Sequence, residues 1–291
     1  MSNEARIQCS KDNAEELYKR FQRDGAIIIP DAFDEAAMQV IEDAYNWNLN
    51  NPGPVAQRLY PEEGGVFIQS QEDSSQKPAF QRMYRETPIA DIAKRIYGTD
   101  DIWHYEDQLF FKEGANSPIR RTPWHQDTVY HPIDGPRTMV MWIPLDDISA
   151  ETALEVIPGT HKGTLYNGTS FAPDDDTAPF YDDAAKLQRM PDIQAERDKW
   201  DIVTCVMKRG DALIFHTSTL HGGGGTPPGG RRRSLSLRIV ADDVVRTVRP
   251  QPRSDTVARN NYSEQDDVEV RTRLHALAPG EPIYKAGLTK L

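Results

Sequence analysis

The sequence predicts a mainly β domain with flanking helices that lie mostly before the sheet. From residue 103 onward, short apolar runs alternate with turn residues, which is typical of an antiparallel sandwich or barrel. Before residue 100, apolar residues recur at helical spacing in three stretches. The 291 residues, 38% hydrophobic and 27% charged, have the composition of an ordinary soluble domain. We therefore expect a single domain over residues 1–291, with an N-terminal helical part over about residues 1–100.

The N-terminal part predicts three helices and one strand. A helix is predicted at residues 13–23, where Leu17, Tyr18 and Phe21 share a face, and another at 34–48 with Asp34 as its cap. The apolar run at residues 25–30 between them predicts a short buried strand. A third helix is predicted at residues 88–97, ended by Gly98. Residues 50–78 are rich in Pro, Gly and Ser and predict a loop.

The β core is predicted over about residues 101–247. Its strands are expected at residues 103–112, 137–145, 153–157, 203–207, 212–216 and 232–240. Residues 161–200 are polar, acidic and poor in strand formers, so they form an insertion between strands. An excursion of this length is either a lid or binding loop or a surface decoration, and both interpretations stay open. Residues 248–291 are expected to form a tail that packs against the core.

Charge and composition exclude several classes of function. The 34 basic and 45 acidic residues give a net charge of −11, which argues against a nucleic-acid partner. Apolar runs of membrane-spanning length are absent from the sequence, so we expect no membrane partner. The first 24 residues are dense in charge without an apolar signal core, which predicts a cytoplasmic protein. Cys9 and Cys205 make neither a metal pattern nor a disulfide framework.

A candidate metal site begins at the segment Thr-Pro-Trp-His-Gln-Asp, residues 122–127. His125 and Asp127 are two residues apart, and in an extended segment they point to the same side. Two His and one carboxylate leave three octahedral positions open, the arrangement of non-haem Fe(II) oxygenases. A His-x-Asp triplet also arises by chance in a chain with 7 His and 45 acidic residues. The second His must come from elsewhere, with His104, His131, His161, His216, His221 and His275 as the candidates.

A family resemblance narrows this choice. His221, followed by four glycines, lies 221 − 125 = 96 residues after His125, and Arg232 lies 232 − 221 = 11 residues further on. This order resembles the Fe(II)/2-oxoglutarate-dependent dioxygenases, and most closely the phytanoyl-CoA dioxygenase-like group. The motifs that carry the resemblance run in family order: DQLFFK at 107–112, PWHQD at 123–127, WIPLD at 142–146, LEVIPGTHK at 154–162, GD at 210–211, HG at 221–222, and residues 232–238.

The resemblance implies a double-stranded β-helix, a jelly-roll of the cupin-like kind, with Fe(II) held by His125, Asp127 and His221. It implies that Arg232 binds the distal carboxylate of 2-oxoglutarate, a pairing that suits the guanidinium fork. Ser234, Trp142 and Gln108 would line the co-substrate pocket, with Lys112 a weaker candidate. In such enzymes O2 and 2-oxoglutarate are consumed, succinate and CO2 are released, and a C–H bond of a small organic substrate is oxidised.

The chain departs from the family pattern at two places. Glu151 and Thr152 stand where many relatives carry Asn-Gly, and residues 222–225 are glycines where many carry Ser and Asn. These departures leave the ligands intact but prevent a relative's substrate from being carried over. Asp127 is present, whereas halogenating relatives have a small residue there, so the resemblance implies oxygenation. Hydroxylation is the default outcome, and we favour a secondary metabolite as substrate over an acyl-CoA or a free amino acid.

Strand alternation separates three adjacent arginines. Arg231 and Arg233 share a face with Leu235, Leu237 and Ile239, while Arg232 shares the other face with the polar set Ser234, Ser236 and Arg238. The polar set is expected to look into a pocket that holds a dianion.

Alternatives remain open for the function and for the other histidines. A jelly-roll metalloenzyme of another class, such as an isomerase, and a non-catalytic binding module are the rival functions. His161 is interpreted as part of a turn and His216 as near the metal but not bound to it. Tyr130 and His131 either face the substrate or lie on a loop surface.

Overall fold

Two antiparallel sheets form the framework of the computed structural model, which describes residues 7–53, 56–59, 65–259 and 269–291. The larger sheet has seven strands in the order β1-β10-β7-β12-β4-β3-β2, and the smaller has four in the order β5-β11-β8-β9. Two short strands, β6 and β13, pair separately. The prediction of a mainly β core with flanking helices is confirmed. Among the described residues, no helix is long and apolar enough to cross a membrane.

The larger sheet is built from β1 (Ala26–Ile29), β2 (Gln57–Arg58), β3 (Val66–Glu72), β4 (Ile102–Glu113), β7 (Thr138–Pro144), β10 (Ala212–His216) and β12 (Arg231–Ala241). The smaller sheet is built from β5 (Thr122–His125), β8 (Leu154–Val156), β9 (Val203–Thr204) and β11 (His221–Gly223). The separate pair is β6 (Ile133–Asp134) with β13 (Val245–Arg246).

Helices cover the outer face of the larger sheet. They are α1 (Ala14–Asp24), α2 (Glu35–Asn50), α3 (Pro78–Glu86) and α4 (Ile89–Tyr97). Asn13 and Asp34 cap α1 and α2 by accepting from backbone N–H groups, and Gly98 ends α4 in the left-handed conformation. The three predicted helices are therefore confirmed, and α3 was not predicted.

The predicted loop at residues 50–78 is wrong for β3. This strand reads Val-Phe-Ile-Gln-Ser-Gln-Glu, so its second half offers no apolar alternation. It forms because Val66 to Glu72 pair with residues 107–113 of β4. Pairing with a distant strand leaves no local mark in the sequence.

Alternating side chains divide the interior into two layers. Met139 and Met141 of β7 face the helices, in one cluster with Leu235 and Leu237 of β12. Val140 and Trp142 face the other way and pack with Val156 and Val203 of the smaller sheet. The two sheets therefore face each other, and the space between them is where inward-pointing polar groups of β4 and β12 meet.

The segments after residue 160 pack around the open end of the two sheets. The insertion contains short 3-10 turns (Asp183–Ala185 and Arg197–Lys199), and its Phe180 and Tyr181 pack on Val129. The tail forms α5 (Ser254–Arg259) and α6 (Glu269–Leu274). Val270 and Leu274 of α6 pack with Tyr105 of β4, so the tail lies against the core. Cys9 and Cys205 are buried free thiols.

Candidate active site

Three side chains, from two neighbouring strands and from the turn that follows the first of them, converge at one point. His125 ends β5, Asp127 begins the 3-10 turn Asp127–Tyr130, and His221 begins β11 directly opposite His125 in the strand register. One ligand atom from each lies within 4.8 Å of the others, and all three residues are buried. The Oδ1 atom of Asp127 lies 3.4 Å from Nε2 of His125 and 3.7 Å from Nε2 of His221. Among the described residues this is the one group with such an arrangement.

The imidazole rings are oriented for metal binding by the backbone. Nδ1 of His125 donates to the carbonyl of Pro123 at 2.8 Å, and Nδ1 of His221 donates to that of Thr219 at 2.9 Å. Each bond fixes the tautomer that leaves Nε2 without a proton, and Nε2 is the atom that faces Asp127. Burial, then the neighbouring His125, lowers the pKa of His221 to about 3, so this ring is neutral at physiological pH. The donor set therefore fits a divalent transition metal such as Fe(II).

Asp127 is held as an anion by a cation that sequence reasoning did not assign to the site. Nη2 of Arg238 donates to Oδ2 of Asp127 at 2.8 Å and to Oε1 of Gln108 at 2.9 Å. Burial alone would raise the pKa of Asp127, but Arg238, followed by His125 and His221, holds it well below its usual value. Oδ1 remains directed at the two imidazoles. One carboxylate oxygen therefore binds Arg238, and the other faces the two histidines. In the sequence, this role of Arg238 was indicated by its position in the polar set of β12.

Arg232 is buried without a carboxylate partner among the described residues. It is 3% exposed, and its Nη1 donates to the carbonyl of Thr152 at 2.6 Å. Its Nε and the hydroxyl of Ser234 are buried, and neither has a hydrogen-bond partner in the described part of the chain. Burial lowers the pKa of Arg232 to about 10, so the guanidinium stays charged at neutral pH. A desolvated cation beside an unsatisfied hydroxyl fits a carboxylate ligand.

The surroundings of Arg232 include further predicted pocket residues. The guanidinium lies 6.0 Å from the ring of Trp142. Nζ of Lys112, also buried, lies 3.2 Å from the carbonyl oxygen of Gly224. A Cβ on Gly224 would meet Nη1 of Arg232 at 1.9 Å, and its backbone φ is +68°. Glycine is therefore required where the chain passes this arginine. Gln108 is not at this end, because its side chain contacts Arg238 instead.

The neighbouring arginines point away from this pocket, as alternation predicts. Arg231 is exposed, with Asp146 at 3.8 Å. Arg233 bonds to Asp146 at 2.8 Å and also pairs with Glu42 of α2. The predicted division of β12 into two faces is confirmed by contacts on each side. Leu235, Leu237 and Ile239 pack in the cluster that includes the helices. On the other face, Arg238 reaches Asp127.

Aromatic side chains stand over the metal ligands. The ring of Phe171, from the insertion, meets that of His125 edge-on at 5.5 Å, and Tyr130 lies 6.1 Å from the same imidazole. Both aromatic residues are partly exposed. Phe171 has a φ of +51°, a left-handed conformation that costs a non-glycine residue roughly 1–3 kcal/mol. The insertion thus contributes a wall of the site.

The remaining predicted histidines do not join the metal ligands. His161 follows the turn after Pro158, with its Nε2 3.3 Å from the carbonyl of Gln22. The ring of His216 is tilted against that of His161 at 5.4 Å, and His216 is not in the ligand group. The position of His161 after the turn and the absence of His216 from the ligand group agree with the sequence interpretation.

His131 lies neither at the substrate side nor on a loop surface. It is 3% exposed, with Nδ1 3.6 Å from Oε2 of Glu106 and 3.4 Å from Nη2 of Arg271. Burial lowers its pKa to about 3. Glu106 and Arg271 form a buried pair that sequence reasoning missed, and Arg271 in the tail carried no signal at all.

Comparison with known proteins places the chain in a family. The sequence model of the phytanoyl-CoA dioxygenase (PhyH) family matches residues 21–234. A probable alpha-ketoglutarate-dependent hypophosphite dioxygenase of Stutzerimonas stutzeri is 25% identical over 166 residues, covering 57% of this chain and 54% of the relative. The human peroxisomal phytanoyl-CoA dioxygenase is 31% identical over 125 residues, covering 42% of this chain and 34% of the relative. The matched regions thus span about half of the first relative and a third of the second.

Solved structures share the fold over most of the chain. The epimerase SnoN, in complex with Fe3+, alpha ketoglutarate and nogalamycin RO, superposes with a TM-score of 0.63 at 18% identity, covering 93% of this chain and 95% of SnoN. EctD from S. alaskensis, with 2-oxoglutarate and 5-hydroxyectoine, has a TM-score of 0.57 at 22% identity, covering 84% and 83%. The predicted jelly-roll is confirmed by these likenesses. Because the family match covers more than half of the chain, this protein belongs to the phytanoyl-CoA dioxygenase family.

Proposed function

We propose that this protein is a non-haem Fe(II)- and 2-oxoglutarate-dependent oxygenase that oxidises a small organic substrate. One observation carries the proposal. A His–Asp–His group within 4.8 Å lies between the same two sheets as a buried arginine that has no carboxylate partner among the described residues. The first arrangement suits Fe(II), and the second suits the distal carboxylate of a diacid.

The chain's own residues hold and orient the reactants. His125, Asp127 and His221 would bind Fe(II) and leave three positions for the co-substrate and O2. Arg232 and Ser234 would bind the distal carboxylate, beside Trp142. When bound, iron and 2-oxoglutarate supply the oxidation of a C–H bond, with release of succinate and CO2. Burial of all three ligands excludes bulk water from the reacting centre.

The substrate we propose is a secondary metabolite. Two structural neighbours, SnoN and SnoK, are an epimerase and a carbocyclase from nogalamycin biosynthesis. The partly exposed rings of Phe171 and Tyr130 beside His125 would pack against an apolar or planar substrate. We further propose a cytoplasmic protein that acts on neither nucleic acid nor membranes, in line with its net charge of −11.

Anaerobic addition of Fe(II) and 2-oxoglutarate to the purified protein tests this proposal. The complex should show a weak metal-to-ligand absorption band in the visible region, and Asp127→Ala should remove it. A panel of candidate substrates coupled to succinate formation then identifies the substrate. Absence of both the band and 2-oxoglutarate consumption would favour an isomerase-like metalloenzyme or a non-catalytic binding module.

A further inference from the structure

A row of buried charges of alternating sign runs from the metal ligand Asp127 to the C-terminal tail. Oδ2 of Asp127 accepts from Nη2 of Arg238 at 2.8 Å. Arg238 lies directly opposite Glu106 in the register of β12 and β4. Oε1 of Glu106 accepts from Nε of Arg271 at 2.8 Å, and Nη2 of Arg271 lies 3.3 Å from Oε2. These four residues are each 6% exposed or less.

Half of this row lies outside the part of the chain that matches the family. The match ends at residue 234, before Arg238 and well before Arg271. Arg271 is carried by α6, which is anchored by Val270 and Leu274 against Tyr105 of β4. The tail therefore places the guanidinium of Arg271 at the inner face of the sheet, next to Glu106, which also faces Arg238.

Arg238 lies within reach of two carboxylates, those of Asp127 and Glu106. Its Nη2 donates to both Asp127 and Gln108, while Nε and Nη1 are buried and have no hydrogen-bond partner within the described ranges. Three of its five N–H groups are thus available to any acceptor that needs them. Directly opposed side chains of an antiparallel pair have Cβ atoms roughly 5 Å apart, so Glu106 is within reach. Glu106 does not need Arg238, because Arg271 neutralises it and Nε2 of Gln71 also donates to its Oε2 at 2.5 Å.

We propose that Arg271 is a positioning residue for the metal centre, acting through Glu106 and Arg238; this inference rests on the proposed function. Removal of Arg271 leaves a buried anion at Glu106, and Arg238 turns toward it and releases Oδ2 of Asp127. The carboxylate then rotates freely, so Oδ1 is no longer held toward the two imidazoles. Loss of an outer partner of a metal ligand typically weakens metal binding by roughly 10–100-fold.

Metal affinity in a set of matched variants tests this inference. Co(II) binding to full-length protein is measured by calorimetry and by its visible d–d bands, without turnover. Arg271→Met should weaken Co(II) binding about tenfold, or about 1.4 kcal/mol, the low end for an indirect partner. Glu106→Gln combined with Arg271→Met should bind within about threefold of the native protein, because Arg238 then has one carboxylate partner again.

Arg273→Met is the control, because Arg273 lies on the same helix and pairs with Asp73 away from the metal ligands. It should change the Tm but not the Co(II) affinity. An Arg271→Met variant that binds Co(II) as Arg273→Met does would overturn the inference, as would a double variant no better than the single one. Those results would mean that Arg271 only secures the tail.

Arg271→Lys covers the case in which Arg271→Met does not fold. Lysine keeps the charge beside Glu106, so Co(II) affinity should stay within about threefold of native, and a tenfold loss would overturn the inference. Absence of Co(II) binding to the native protein would overturn both the proposed function and this inference. Native Co(II) binding together with an unperturbed Arg271→Met variant would overturn this inference alone.

Discussion

Arg232→Ala should weaken 2-oxoglutarate binding more than any other single change on β12. Arg232 is 3% exposed, and burial lowers its pKa to about 10, with no compensating carboxylate in the part of the chain that the structure describes. Removing one partner of a buried charged pair costs roughly 3–5 kcal/mol. At about 1.4 kcal/mol per factor of ten, the apparent dissociation constant should rise roughly 100- to 5,000-fold.

The assay is a titration of 2-oxoglutarate into the anaerobic Fe(II) protein, followed by the visible band and repeated with succinate formation as the readout. Arg231→Ala and Arg233→Ala are matched controls on the outward face of the same strand. Arg231→Ala should change nothing, since an exposed ion pair contributes only about 0–1 kcal/mol. Arg233→Ala should lower the Tm by breaking contacts to Asp146 and Glu42 while leaving 2-oxoglutarate binding intact. A large binding loss in either control, or less than a threefold loss in Arg232→Ala, would refute the reasoning.

Three further predictions concern the ligand, acid stability and the insertion. Asp127→Ala should abolish succinate formation because it removes the one anionic ligand of the proposed triad, and full turnover in this variant would disprove the assignment. Acid should destabilise the metal-free protein from pH 6.5 downward. His131, His216 and His221 have folded pKa values of about 3, 4 and 3, so the unfolded chain binds protons first. At pH 5 the free energy of unfolding, measured by urea titration, should be lower by about 2 kcal/mol for each of these histidines. A free energy of unfolding that stays constant between pH 7 and pH 5 would contradict the lowered pKa values. Residues 161–200 should close over the site when 2-oxoglutarate and substrate are bound, so trypsin should cut there more slowly, and equal cleavage in both states would argue against a lid.

Local patterns predicted those parts of the molecule that local physics determines. The helices α1, α2 and α4 were predicted because apolar spacing and capping residues act within a few positions of each other. The ligand pair of His125 and Asp127 could be predicted for the same reason, because the two residues are only two positions apart. Residue spacing left six candidates for the second histidine, and only the family resemblance selected His221 among them.

Pairing between distant strands explains what local patterns did not predict. β5 and β11, which carry His125 and His221, are four and three residues long and contain Pro or Gly. Neither has enough length for a period of two to be visible. They are strands because His221 pairs with His125 on one side and with Val156 on the other. The geometry of the metal ligands is thus a tertiary property of segments without secondary-structure signal.

The inward face of β12 shows what side-chain alternation alone can and cannot predict. It correctly separates Arg232 from its neighbours, and it puts Arg238 six residues along the same face, roughly 20 Å away at 3.3 Å per residue. The two arginines serve different anions, because Nη2 of Arg238 already donates to Oδ2 of Asp127, whereas Arg232 has no carboxylate partner among the described residues. Alternation cannot say which anion belongs to Arg238, because Asp127 reaches it from a 3-10 turn and Glu106 from β4, and Arg271 comes from a helix with no pattern of its own. Arg238 lies beside two buried carboxylates, and Arg271 supplies a second cation to one of them, which is the basis of the inference that the tail supports the metal centre.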